Sequence, residues 1–143
     1  MTPILSLWTR PEPVKNLAPR SLRQRILVVE EELIIGEIAA EVLTDAGYEV
    51  LTAASAEEAE IILRDVSVDV MFTDINLGGQ DGFELAQVAL SLQPLLSVVL
   101  TSGRSRIYHG LCEKVGMPFL PKPYRLTELV EMIDRVVKAA TAQ

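Results

Sequence analysis

Five strand-like segments, at residues 26–29, 48–52, 68–73, 95–100 and 117–120, alternate with stretches whose apolar residues recur at helical spacing. The first run, ILVV, is continuously apolar, as a strand buried on both faces must be. Ile35, Ile38, Ala39, Val42 and Leu43 then mark one helix face, with Gly47 as its left-handed cap. Ser55 and Glu58 form a capping box for a second helix carrying Ala59, Ile62 and Leu63. Residues 74–81 read as a glycine-containing loop. Phe83, Ala86 and Leu90 share one face of a third, weaker helix over residues 82–92. Residues 104–115 have mixed polarity and an internal Gly110, so the fourth helix is soft. Leu126, Leu129, Val130, Ile133 and Val137 give the last helix a clear apolar face. Strands alternating with helices predict βαβ units, hence an α/β domain with a five-stranded parallel sheet covered on both faces. In open parallel sheets, ligands bind beyond the carboxyl ends of the strands.

At 143 residues the chain is one domain of ordinary size. The single cysteine, Cys112, rules out an internal disulfide and suits a reducing compartment. No apolar run approaches the ~18 residues of a membrane span. The N-terminus lacks the basic start and cleavage site of a signal peptide, so a cytoplasmic location without membrane insertion is expected. The net charge of −7 is unevenly placed: residues 1–25 hold five basic residues and one acid, the remainder eight basic and nineteen acidic. An acidic body argues against direct nucleic-acid binding. Residues 1–24, with four prolines and Trp8, read as a basic, flexible leader, and residues 25–140 as the domain.

Polar residues gather at the predicted strand ends: Glu30 and Glu31 after the first, Asp74 after the third, Thr101 after the fourth and Lys122 after the fifth. Clustered carboxylates repel one another unless a cation neutralises them. Oxygen donors with few carboxylates suit Mg2+, which keeps several waters and also binds phosphate oxygens. A lysine and a hydroxyl are donors suited to a phosphoryl group. Aspartate can carry phosphate covalently, and phosphoryl transfer asks mostly for positioning and charge neutralisation. Asp74, alone at the central strand's end, is the candidate acceptor.

The segments ILVVEEELII, MFTDINLGGQDGFEL, VVLTSG and PFLPKPY, in this order, resemble a receiver domain of the two-component response regulators (CheY-like) over residues 25 to about 139. The resemblance implies a flavodoxin-like fold with strand order 2-1-3-4-5. It implies phosphorylation of Asp74 by a sensor histidine kinase or phosphotransfer protein. It implies Mg2+ held by Glu30, Glu31, Asp74 and the backbone carbonyl of Asn76. Thr101 matches the switch hydroxyl, Lys122 the site lysine and Phe119 the switch aromatic, without the hydroxyl of the commoner tyrosine. The Lys122–Pro123 bond is expected to be cis, and a downstream protein partner to use the fourth helix, fifth strand and fifth helix.

On this reading the chain is a stand-alone phosphoacceptor and not an enzyme in its own right; whether it forms a homodimer is left open. One residue departs from the family pattern. Glu31 stands where an aspartate is usual, and its side chain is one methylene longer. That departure supports an alternative, a phosphate-independent receiver-like interaction module. A phosphohydrolase is disfavoured, because Asn76 stands where a second aspartate would serve as acid and base. His109 is read as a surface histidine and Cys112 as a packed small residue.

Overall fold

The computed structural model describes residues 23–142. The proposed leader, with Trp8, lies outside the described residues for positions 1–22. Twelve elements follow in order: β1 (Arg25–Val29), α1 (Leu33–Asp45), β2 (Glu49–Ala53), α2 (Ala56–Asp65), β3 (Val70–Asp74), β4 (Asn76–Leu77), β5 (Gln80–Asp81), α3 (Gly82–Leu92), β6 (Ser97–Ser102), α4 (Ser105–Val115), β7 (Phe119–Pro121) and α5 (Leu126–Thr141). Five strands form a parallel sheet in the order β2-β1-β3-β6-β7, the flavodoxin-like arrangement expected from the sequence.

Alternation along β1 divides the core. Ile26 and Val28 face α1 and α5, joining Val70, Phe72, Val99, Leu43, Leu129 and Ile133. Leu27 and Val29 face the opposite helices, joining Met71, Leu100, Ala59, Leu63, Leu85 and Cys112. Both faces of every central strand are therefore dry, which is why those strands read as unbroken apolar runs.

Local signals act as their chemistry requires. Ser55 Oγ accepts the Glu58 N–H at 3.1 Å, while the Glu58 carboxylate accepts the Ala54 N–H at 2.8 Å, so the reciprocal bond falls one residue before the cap. Gly47 follows α1 with φ +105°, a conformation other residues rarely adopt.

The structure corrects several sequence expectations. Ile38 is 44% exposed, and the buried face of α1 is Gly36, Ala39 and Leu43. Leu126 is also exposed, ahead of the buried Leu129 and Ile133. The fourth core strand begins at Ser97, and Leu95 is 96% exposed, because Pro94 and Leu95 turn at the surface before the ladder starts. Residues 74–81 are more than a loop. Asn76–Leu77 pairs antiparallel with Gln80–Asp81 across Gly78 and Gly79, both at positive φ. Two consecutive positive-φ residues give the tight turn that matches strand twist.

Candidate functional site

Sheet register, not sequence proximity, assembles the site. Asp74 is the last residue of β3 and pairs with Thr101 on β6, which pairs in turn with Leu120 on β7. The ladder continues past the strand ends: Ile75 N–H donates to Thr101 O at 2.9 Å, and Lys122 N–H donates to Ser102 O at 3.0 Å. On the other side, Glu30 N–H donates to Ala53 O at 3.0 Å. Glu30, Asp74, Thr101 and Lys122 therefore share one edge. The Lys122–Pro123 peptide that follows β7 is cis.

Lys122 holds the centre. Its Nζ lies 2.6 Å from Asp74 Oδ2 and 2.9 Å from Glu30 Oε1. Both carboxylates are buried, so the ammonium supplies the neutralising charge that solvent cannot. Burial by itself would lower the Lys122 pKa. The hydrogen bonds and attraction to Asp74 and Glu30 outweigh it, and the group is held well above the usual lysine range. The remaining carboxylate oxygens are also served: Asn76 N–H donates to Asp74 Oδ1 at 2.9 Å, and Glu32 N–H to Glu30 Oε2 at 3.2 Å.

Thr101 differs from its neighbours. It is 1% exposed, and its Oγ1 is the only buried side-chain polar atom among the described residues with no hydrogen-bond partner. A buried hydroxyl left unpaired costs about 1–3 kcal/mol, so its retention points to a partner that arrives later.

Glu31 is not drawn into this cluster. It is exposed, and its carboxylate lies over Gly78, where an added Cβ would stand 2.7 Å from Oε2. Among the described residues, no three acidic, histidine or cysteine side chains converge as a metal cage. Mg2+ does not need one, since it binds through one or two carboxylates and keeps its waters. The donors present are all oxygens: the Glu30 and Asp74 carboxylates and main-chain carbonyls at the strand ends. They fit a hard, hydrated cation, with Glu31 at the loop side.

Phe119 is half-buried on β7, and the exposed His109 ring meets it edge-on at 6.2 Å. Cys112 is buried, as expected of a packed small residue, and burial pushes its thiol pKa up. Beside Lys122 a cleft of about 540 Å³ opens between α1 and the start of α5, lined by Ile35, Ile38, Pro123, Tyr124 and Leu126.

Sequence reasoning missed two polar anchors. Ser102 is fully buried and its Oγ donates to Asn76 Oδ1 at 2.9 Å. Gln93 accepts the Val68 N–H and donates to Leu63 O and Val66 O, tying the end of α2 to the start of β3. Ser102 was detectable as the polar residue next to Thr101; nothing in the sequence marked Gln93.

The fold and the acidic edge define a flavodoxin-like α/β domain with an aspartate-centred pocket at its topological switch point. Residues 26–134 match the response regulator receiver domain family, and the chain belongs to it. It is a domain of two-component signalling, a family in which aspartate phosphorylation and Mg2+ binding are typical. Among curated proteins it is 34% identical over 124 residues to the transcriptional regulatory protein AruR of Pseudomonas aeruginosa, covering 80% of this chain and 49% of AruR. The receiver domain of the hybrid histidine kinase CckA is 34% identical, with a TM-score of 0.68 over 79% of this chain and 98% of that one. A CheY-like receiver from Methanospirillum hungatei JF-1, at 24% identity, shares the fold with a TM-score of 0.78 over 84% of this chain and 98% of that one. The chain spans between 22% and 49% of the length of the curated relatives it matches. No helix among the described residues is long and apolar enough to cross a membrane.

Proposed function

We propose that the chain accepts a phosphoryl group on Asp74 from a phosphohistidine of a sensor histidine kinase or phosphotransfer protein, and signals through protein contact. The observation that carries this reading is the Lys122 ammonium bridging Asp74 and Glu30 beside an unpartnered Thr101 hydroxyl. An Asp74 carboxylate oxygen forms the new O–P bond. The donor's N–P bond breaks, and the imidazole leaves with the electron pair and takes up a proton. Lys122 is already on Asp74 Oδ2 and can follow the charge onto a phosphoryl oxygen. The Thr101 hydroxyl gains its missing partner by donating to another. Glu30, Asp74 and the Asn76 carbonyl would hold Mg2+, with Glu31 acting from the loop side. When bound, the metal neutralises charge on the phosphoryl oxygens.

Thr101 moving toward the phosphoryl group vacates space beside β7, into which Phe119 repacks. The output face is then α4, β7 and α5, where a downstream partner reads a shift in a two-state equilibrium. The donor must present its phosphohistidine at the pocket mouth. The exposed Leu33, Ile34 and Ile38 lie on α1, which begins three residues after Glu30, and suit an apolar donor surface. We place the chain in the cytoplasm with its donor, as a phosphoacceptor that transforms no separate substrate.

The phosphate-independent interaction module is favoured by one observation: Glu31 sits out over Gly78 while, among the described residues, Lys122 is the cation paired with Glu30 and Asp74. Acetyl phosphate with Mg2+ separates the two readings by intact mass. A phosphoryl adduct on the wild type and none on Asp74→Asn is expected. An adduct on both would remove Asp74 as the acceptor. An adduct on neither favours the interaction module, and Glu31→Asp then asks whether the shorter acid restores labelling.

A further inference from the structure

Thr101 and Phe119 offer one path from the pocket to the output face. A separate set of side chains leaves the pocket by another. Asn76, two residues after Asp74, touches it through its main chain, with N–H to Oδ1 at 2.9 Å. Its side chain is held at both ends. Ser102 Oγ accepts the Arg104 N–H at 3.0 Å, so its own proton is free for Asn76 Oδ1 at 2.9 Å. That bond fixes which end of the amide is oxygen, and leaves Nδ2 as the donor to the Tyr108 hydroxyl at 3.4 Å. Tyr108 lies on α4, half-buried, with its ring packed at 5.8 Å against Phe83 of α3. Arg104 is the N-cap of α4 and makes no side-chain cap bond. Apart from ring packing, Ser102 and Asn76 are thus, among the described side chains, polar attachments of the first turns of α4 to the sheet edge.

We infer that Asn76, Ser102 and Tyr108 form a tie that couples the state of Asp74 to α4, with Tyr108 as a positioning residue acting through Asn76. The inference rests on Asp74 being the phosphoacceptor. A change in the charge and direction of the Asp74 carboxylate alters the acceptor of the Asn76 N–H. Because the Asn76 side chain is anchored twice, that displacement reaches Ser102 and Tyr108 and is not absorbed by a free rotamer. The helix it reaches has Gly110 in its interior and, among its described side chains, only Cys112 buried, so small forces shift it.

The test is amide hydrogen exchange on α4, with α5 as internal reference, in the absence and presence of Mg2+ and beryllofluoride as a phosphoryl mimic. Wild type, Tyr108→Phe, Asn76→Ala and the double variant are compared. Tyr108→Phe keeps the ring on Phe83 and removes only the hydroxyl. In the free protein each single variant is expected to speed α4 exchange about 2- to 10-fold, the range of one net hydrogen bond, with α5 unchanged. The double variant adds nothing further, because the tie is one unit. The wild-type α4 response to the mimic falls by more than half in Tyr108→Phe, although Tyr108→Phe still takes up a phosphoryl group by mass. A wild-type-sized response in Tyr108→Phe, or no α4 response in the wild type, overturns the tie and leaves the acceptor role of Asp74 standing. Failure of the wild type to bind the mimic or take a phosphoryl group ends both.

Discussion

Gly82 and Gly110 both lie in helices, yet the same substitution should move stability in opposite directions. Gly82 opens α3 and is buried. A Cβ built on it would stand 2.4 Å from Asp74 O, 2.7 Å from Ile75 Cα and 3.1 Å from Asp74 C. All three are backbone atoms of the β3 end, held in place because Gly82 N–H donates to Ile75 O at 2.8 Å. A relaxed C···O contact is about 3.3 Å, so the two backbones must separate by roughly 0.9 Å. Overpacking of this kind costs about 1–3 kcal/mol. The lost conformational freedom of the unfolded chain returns only about 0.4–1 kcal/mol. The net expectation for Gly82→Ala is a loss of about 1–2 kcal/mol. Gly110 sits in the interior of α4, is exposed, and an added Cβ meets nothing within 4 Å. There only the propensity remains, and Gly110→Ala should gain up to ~1 kcal/mol. Urea denaturation of both variants, with the slope checked for constancy, reads the two signs directly. The strain at Gly82 falls on Asp74 itself, so Gly82→Ala should also slow labelling by acetyl phosphate, which Gly110→Ala leaves alone. Two shifts of the same sign would refute the reasoning: two gains would mean that backbone separation at the β3 end is free, and two losses that the added Cβ at Gly110 is not accommodated.

Three further perturbations address the pocket and its frame. Lys122→Met leaves the buried Glu30 and Asp74 carboxylates without their cation and should cost about 3 kcal/mol, the low end of the ~3–5 for breaking a buried pair, because Lys122 keeps 20% exposure. Adding Asp74→Asn should recover part of that loss, measured as non-additivity in a denaturation cycle. Thr101→Val should be neutral or stabilising, since it deletes a hydroxyl with no partner, while abolishing the switch read at α4, β7 and α5; a loss above ~1 kcal/mol would place a bonding partner on that hydroxyl. The Tyr48 hydroxyl donates to Asp134 on α5, and burial first, then that bond and the Asp134 charge, holds its pKa well above the usual range. The folded chain therefore keeps this proton where the unfolded chain loses it. Its stabilising contribution is complete below about pH 10 and shrinks as pH rises further. Tyr48→Phe should cost about 1 kcal/mol at pH 7 and less at pH 11, compared by urea midpoints. Lys122 acts in the same direction, so it contributes to the alkaline fall that remains in Tyr48→Phe.

Ile26–Val29 and Val98–Leu100 are apolar without interruption because the sheet is buried on both faces, and that pattern alone announces a parallel α/β domain. The acids, hydroxyl and lysine were legible for the same reason: a polar residue directly after such a run has only the strand end to occupy. Single sequence positions thus determined the fold class, the edge that carries the pocket, and Glu30, Asp74, Thr101 and Lys122 as its members. Helix faces were less legible. Ile38 fits the apolar spacing of α1, yet that helix turns Gly36, Ala39 and Leu43 to the core and leaves Ile38 44% exposed. Side-chain direction was not legible at all. Glu30 and Glu31 are chemically alike neighbours, but Glu30 turns inward to Lys122 and Glu31 outward over Gly78. The turn at Gly78 and Gly79, the burial of Ser102 and the reach of Asn76 to Tyr108 likewise depend on which elements the sheet register brings side by side. Those contacts join residues from separate segments, and their distances exist only once the chain has folded; the sequence determined which groups could meet, and the tertiary structure decided which of them do.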